Sequence, residues 1–155
     1  MTASTRYFRP GFTKVTFAPA VANILSPTRA EINAGSELSG EIADSSGWGA
    51  EQNFIDLPDL GTVFTAQLGG RVTAPSSSLT FYASSNSIDV RALLPRGTTG
   101  FIIWFDEGDV ATRKADCFAV TVGAVSKERG IEDPAKITVN FAVTRTPTEN
   151  FTVPA

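Results

Sequence analysis

The stretch Lys136-Ile-Thr-Val-Asn-Phe-Ala-Val-Thr144 decides the class of fold. Its apolar residues Ile137, Val139, Phe141 and Val143 fall at every second position, and only an extended strand sets such a series on one face. A helix would scatter them around its axis. Asp116 to Val125 repeats the pattern, with Phe118, Val120 and Val122 facing one way and Cys117, Ala119 and Thr121 the other. Phe101-Ile-Ile-Trp-Phe105 is an unbroken apolar run, as a strand covered on both faces requires.

Working outward, the chain carries 13 Gly and 9 Pro that punctuate short segments, as turns between strands do. Val15 and Phe17 alternate with polar neighbours, and Glu37–Ala43, Asn53–Asp56, Val63–Leu68 and Leu79–Ala83 also read as strands. Asp44 to Gly49 reads as a loop, Pro58 to Gly61 as a turn, and Gly69-Gly70 as a two-residue hairpin. Pro27 to Gly35 fits one helical turn with Ser26 as its cap, and Asn86-Ser87 introduces a helix over about 87–94 with Asp89 in its first turn. The expectation is a mainly β protein, an antiparallel β-sandwich or barrel-like domain with one short flanking helix. It forms a single domain over residues 1–155: an N-terminal arm at 1–12, a β core at 13–145 and a C-terminal arm at 146–155.

Composition excludes several functions. Apolar residues make up 42% of the 155, and 11 Phe with 2 Trp are too many for a disordered chain. The longest apolar stretches span only a few residues, so no membrane span is expected. With no His, triads and metal sites built on imidazole are impossible, and the lone Cys117 has neither a disulfide partner nor a zinc cluster. One unpaired thiol favours folding in a reducing compartment, and Met1 to Pro10 lacks the apolar core of a secretion signal. A net charge of −3 argues against gripping nucleic acid by bulk charge.

The order of the charges says more than their sum. Residues 1–30 carry Arg6, Arg9, Lys14 and Arg29 and no acid. Residues 31–70 carry Glu31, Glu37, Glu41, Asp44, Glu51, Asp56 and Asp59 and no base. Strand ends sampling one sign would be the plain explanation. The sharper one sets a basic arm against an acidic surface, in the same chain or a neighbouring copy. An acidic wall also lets a polyanion pass without sticking.

Chemistry is sparse. Asp106-Glu107-Gly108-Asp109 lacks the ligand spacing of a calcium loop and reads as a charged turn. Glu51, Asp56 and Asp59 are turn carboxylates rather than a glycosidase pair. Cys117 has no histidine to activate it. Gly47-Trp48-Gly49 suits either an exposed aromatic that holds a sugar or a Trp buried at a loop base. No catalytic, cofactor-binding or metal-binding residue is assigned.

A resemblance runs along nearly the whole chain. It is carried by Thr13-Lys-Val-Thr-Phe-Ala-Pro19, Pro27-Thr-Arg-Ala-Glu-Ile-Asn-Ala-Gly35, Ile55-Asp-Leu-Pro-Asp-Leu-Gly61 and Ser78-Leu-Thr-Phe-Tyr82. Arg91-Ala-Leu-Leu-Pro-Arg-Gly97 with Gly100-Phe-Ile, and Asn140-Phe-Ala-Val-Thr144 with Val153-Pro-Ala155, complete it. In this order the motifs resemble the major tail proteins of long-tailed phages infecting actinobacteria. The resemblance implies a structural virion protein that forms hexameric rings, stacked into the hollow tail tube through which the genome is delivered. Its partners would be further copies of itself, the tape-measure protein and other tail proteins. Phage DNA would pass without specific binding, no membrane is involved, and assembly would occur in the host cytoplasm. No enzymatic activity, cofactor or metal is implied.

On that footing the terminal arms are candidate assembly contacts, through Arg6, Tyr7, Phe8, Arg9, Phe12 and Phe151. Glu41, Asp44, Glu51 and Asp56 are candidate lumen-facing acids. The alternative is a β-sandwich module that binds carbohydrate through Trp48 or Trp104, or that decorates a capsid or neck.

Overall fold

Alternation in the central segments produces strands that bury one face or both, and the sheet is built around them. The computed structural model describes residues 5, 6 and 8–155. The elements run β1 (Lys14–Ala18), α1 (Arg29–Asn33), β2 (Ser36–Glu37), a 3₁₀ turn at Ser39–Glu41, β3 (Ile42–Ser46), β4 (Glu51–Leu57) and β5 (Ala66–Thr73). They continue with β6 (Ser77–Tyr82), α2 (Val90–Leu93), β7 (Thr99–Phe105), β8 (Lys114–Glu128), β9 (Lys136–Val143) and β10 (Thr148–Thr152). The fold is mainly β and antiparallel, as the sequence leads one to expect.

One sheet has the order β2-β1-β7-β8-β9-β6-β3, and β10 pairs with the start of β8. Register follows the alternation: Ile102 lies opposite Phe118, Val122 opposite Phe141, and Phe81 opposite Ile137. Among the described residues, strands β4 and β5 pair only with each other.

The larger core lies on one face and holds Phe81, Ile102, Phe118, Val120, Val122, Ile137, Val139 and Phe141 among others. Val90 and Leu94 close it at the α2 end, where the Asp89 side chain caps the helix by accepting from the Arg91 N–H at 3.1 Å. A second core on the opposite face joins Ile32 of α1 to Ile103, Phe105, Ala115, Cys117, Phe151 and Val153. Strand β7 feeds both cores, which explains its unbroken apolar run.

The structure corrects four local expectations. The cap of α1 is Thr28, not Ser26: Thr28 and Glu31 exchange side-chain and backbone hydrogen bonds in a capping box. The strand expected at 37–43 is broken, because Leu38 turns into the core and a 3₁₀ turn follows; β3 then runs through the expected loop to Ser46. Gly69-Gly70 is no hairpin turn but sits within β5, and the connection spans residues 58–65. A Cβ on Gly69 would lie 2.7 Å from the Gln52 amide, and one on Gly70 would lie 2.9 Å from the Asn53 carbonyl. Here glycine allows two backbones to close rather than to turn. Finally, the C-terminal segment is no arm. Phe151 is 5% exposed and Val153 lies beside it in the second core, so Phe151 is unavailable to a neighbouring subunit.

Candidate assembly surfaces

The β4–β5 hairpin stands away from the sheet. Every residue of its two strands is exposed except Gly70, which is half-buried. Its turn carries Leu60 and Val63, each fully exposed, and Phe64 at 78%. Phe54, Ile55, Leu57, Leu68 and Val72 are exposed on the strands. Register puts Ile55, Leu57 and Leu68 on one face and Phe54, Val72 and Asp56 on the other. An apolar two-stranded ribbon with both edges unpaired is marginal alone and prone to pair with another chain.

The root of the hairpin is rigid. Gly47 holds a φ of +81° and packs tightly on the Ser76 carbonyl, and Ser77 Oγ donates to the Gly47 carbonyl at 2.9 Å. The next residue, Trp48, donates its indole N–H to the Ser78 carbonyl at 3.1 Å. Its ring centroid lies 5.2 Å from Phe118, 5.5 Å from Phe141 and 5.7 Å from Trp104. Trp48 therefore wedges the hairpin base against the larger core.

A second surface is the outward face of β3, β6, β9 and the end of β8. Ser46, Ser78, Thr80, Thr138, Asn140, Ala142 and Ser126 occupy it, all half-buried or exposed. Thr80 and Thr138 touch through their hydroxyls at 3.2 Å. Asp44, opposite Thr80, lies on this face; Glu128 sits at its end opposite Lys136. Of the other candidate acids, Glu41 belongs to the 3₁₀ turn, and Glu51 and Asp56 have opposite parity on the hairpin. Those two cannot front the same surface of the ribbon.

The N-terminal segment forms a fixed turn. The backbone N–H groups of Phe12 and Thr13 both donate to the Arg9 carbonyl, and Thr13 Oγ1 donates to the Asp106 carbonyl at 3.2 Å. Arg9 approaches Asp106 at 3.8 Å, and Phe8 is 78% exposed. Arg6 is exposed, and Tyr7 lies outside the described residues. Lys14 meets Glu37 at 3.4 Å, an arm-to-acid pair inside one chain.

A family model described as phage tail tube protein matches residues 1–155. The chain belongs to the phage tail tube protein family. No curated protein matches it. Among solved structures it is similar to the SPP1 tail tube, determined by solid-state NMR and cryo-EM, at 16% identity and a TM-score of 0.60, covering 92% of this chain and 78% of that one. It is also similar to a chain in the anti-feeding prophage baseplate, at 13% identity, TM-score 0.61 and 95% coverage of each chain. A third similarity is to a chain in the structure of the sheath/tube terminator of an extracellular contractile injection system, at 9% identity, TM-score 0.63, covering 92% of this chain and 96% of that one.

This tail tube protein is a structural, non-enzymatic virion component. Its titratable groups fit that role. Backbone N–H groups of Ala22 and Thr28, then the Thr28 hydroxyl, hold Glu31 below the ordinary carboxylate value, so this acid is spent on capping α1. Burial, with the nearby charge of Glu31, pushes the Cys117 thiol up to about 12, which leaves it protonated and inert. Among the described residues no group of three or more acidic or Cys side chains stands close enough to hold a metal ion, and no helix is long and apolar enough to cross a membrane. The carbohydrate alternative loses its platform: Trp104 is 8% exposed, and Trp48 packs its ring on three aromatic neighbours.

Proposed function

We propose that the chain, a single domain over residues 1–155, is the repeating subunit of a tube of stacked hexameric rings that conducts phage DNA. The observation that carries this reading is the exposed apolar hairpin, a surface that one copy alone leaves in water. The sheet supplies a second support. In the leaf β3-β6-β9-β8, the outer edge of β3 pairs with no strand among the described residues, and the β7–β8 register ends at Thr121. Four antiparallel strands are an even number, so β3 of the next copy meets the free end of β8 in antiparallel sense. A heterologous contact of this kind closes into a ring when its rotation closes.

The hydroxyl-rich outward face of that leaf then faces the lumen, with Asp44 on it and Glu128 opposite Lys136 at its end. Hydroxyls, an amide and acids, with the cation Lys136 set opposite Glu128, give DNA phosphates little to hold, so the duplex slides without specific binding. Glu41, in the 3₁₀ turn, and Glu51 and Asp56, on the hairpin, lie outside this face. Following the sequence resemblance, the tube assembles around a tape-measure protein in the cytoplasm of an actinobacterial host.

The test replaces residues 54–69 with a two-residue turn. The full chain should sediment as polymer at high concentration. The shortened chain should remain monomeric with an unchanged thermal melt. Polymer from the shortened chain would remove the hairpin from the assembly.

A further inference from the structure

We infer that Asn86 is a site of self-modification in the folded protein: assisted by the Ser84 hydroxyl, the Ser87 backbone nitrogen attacks the Asn86 side chain and expels ammonia. A succinimide forms, and water opens it to aspartate or isoaspartate.

The sequence narrows the choice of asparagine. Of the six in the chain, four precede Ile or Phe, whose bulk shields the attacking nitrogen, while Asn33 and Asn86 precede Ala34 and Ser87. The structure separates these two. The Ala34 N–H donates to the Ala30 carbonyl at 3.0 Å at the end of α1, so that nitrogen is engaged. The Ser87 N–H makes no hydrogen bond among the described residues.

The surroundings of Asn86 favour the attack. Between β6 and α2 the chain is open to water from Ser85 to Ile88. Ser87 holds a φ of +65°, and the turn it makes brings the Ile88 N–H to Asn86 Oδ1 at 3.2 Å. The Ser84 hydroxyl donates to the same oxygen, and the Asn86 N–H donates back to Ser84 Oγ at 3.2 Å. Two donors thus meet the oxygen on which negative charge develops as the nitrogen adds to Cγ. Donors so placed stabilise a tetrahedral intermediate.

The step balances with water as the only co-reactant. Solvent takes the proton of the Ser87 amide, the N–Cγ bond forms, and the Cγ–Nδ2 bond breaks as ammonia leaves. Water then adds to either succinimide carbonyl, so an amide and a water become a carboxylate and ammonium. The new charge lies shortly before Asp89, which caps α2 and stands 3.9 Å from Lys127. The isoaspartate form also adds a carbon to the backbone leading into α2, whose flank, Val90 and Leu94, closes the larger core. A virion component is not renewed once made, so slow chemistry of this kind accumulates in it.

Peptide mapping of the purified full chain tests the assignment. Trypsin releases Val72–Arg91, in which Asn86 is the sole side-chain amide. After prolonged incubation of the folded protein at neutral pH, that peptide should gain the mass difference between an amide and an acid. It should do so before any other asparagine-containing peptide, and its product should separate into aspartate and isoaspartate forms. Ser84→Ala removes one donor from an exposed loop and should slow the change about fivefold, the effect of one hydrogen bond on a barrier. Its thermal melt, taken alongside, should match that of the native chain. A folded protein that stays unmodified while the chain unfolded in guanidinium reacts at Asn86 would overturn the proposal. So would another asparagine reacting first, or a Ser84→Ala rate equal to or above the native one.

Discussion

Phe141 shows what a single side chain does in this fold. It lies in the larger core 5.5 Å from the Trp48 ring and is almost fully buried. Phe141→Ala should therefore cost about 3–5 kcal/mol in equilibrium unfolding, whereas a loss below about 1 kcal/mol would place that face in solvent. Cys117 makes a chemical prediction. A thiol pushed up to about 12 gives almost no thiolate at pH 8, so a thiol reagent should leave the native protein unmodified and label it once unfolded. Rapid labelling of native protein would contradict its burial. Glu31 sets a pH dependence. Its folded pKa lies below the ordinary 4.5, so the stability it lends is complete above that value and fades as pH falls through the folded pKa. Glu31→Gln should lower the melting temperature at pH 7, and the gap to the native protein should narrow progressively as pH falls below 4.5. A gap that widens in acid would reverse the sign.

The elements differ in how plainly the sequence announces them. Strands β7, β8 and β9 were legible because alternation or an unbroken apolar run leaves a strand little choice of face. The start of α1 was legible in principle, since Thr28-Arg-Ala-Glu31 has the spacing of a capping box, but Ser26-Pro27 offers a rival cap two residues earlier. Gly69-Gly70 misleads because glycine serves both turns and close strand approach, and only the position of Gln52 across the ribbon separates the two. Strand β10 hides for another reason. Thr148-Glu-Asn-Phe-Thr152 is polar overall, and its burial rests on Phe151 and Val153, two residues at the same parity. That burial changes what a truncation does. Removing residues 147–155 uncovers Ile103, Phe105, Ala115 and Cys117, so the chain should melt far lower or fail to fold. A truncated protein with an unchanged melt would show that β10 contributes nothing to the second core.

At the scale of the whole molecule, the features that matter for assembly were the least visible. The order of charges pointed to a basic segment and an acidic one, but which acids share a surface depends on strand parity. The register leaves Asp44 on the open leaf and separates Glu51 from Asp56. The exposed hairpin was not legible as such, because a sequence of strand residues does not say whether a sheet lies beneath them. The molecule joins a rigid sheet, buried on both faces at its centre, to an apolar ribbon with no cover of its own. Such a chain is incomplete as a monomer, and the tail tube reading gives it a partner in further copies of itself. Electron microscopy of the purified full chain at high concentration tests this most directly. The account predicts hollow tubes of uniform width, with rings of sixfold symmetry in end-on views. A field of dispersed single particles, with sedimentation giving monomer at every concentration, would contradict it.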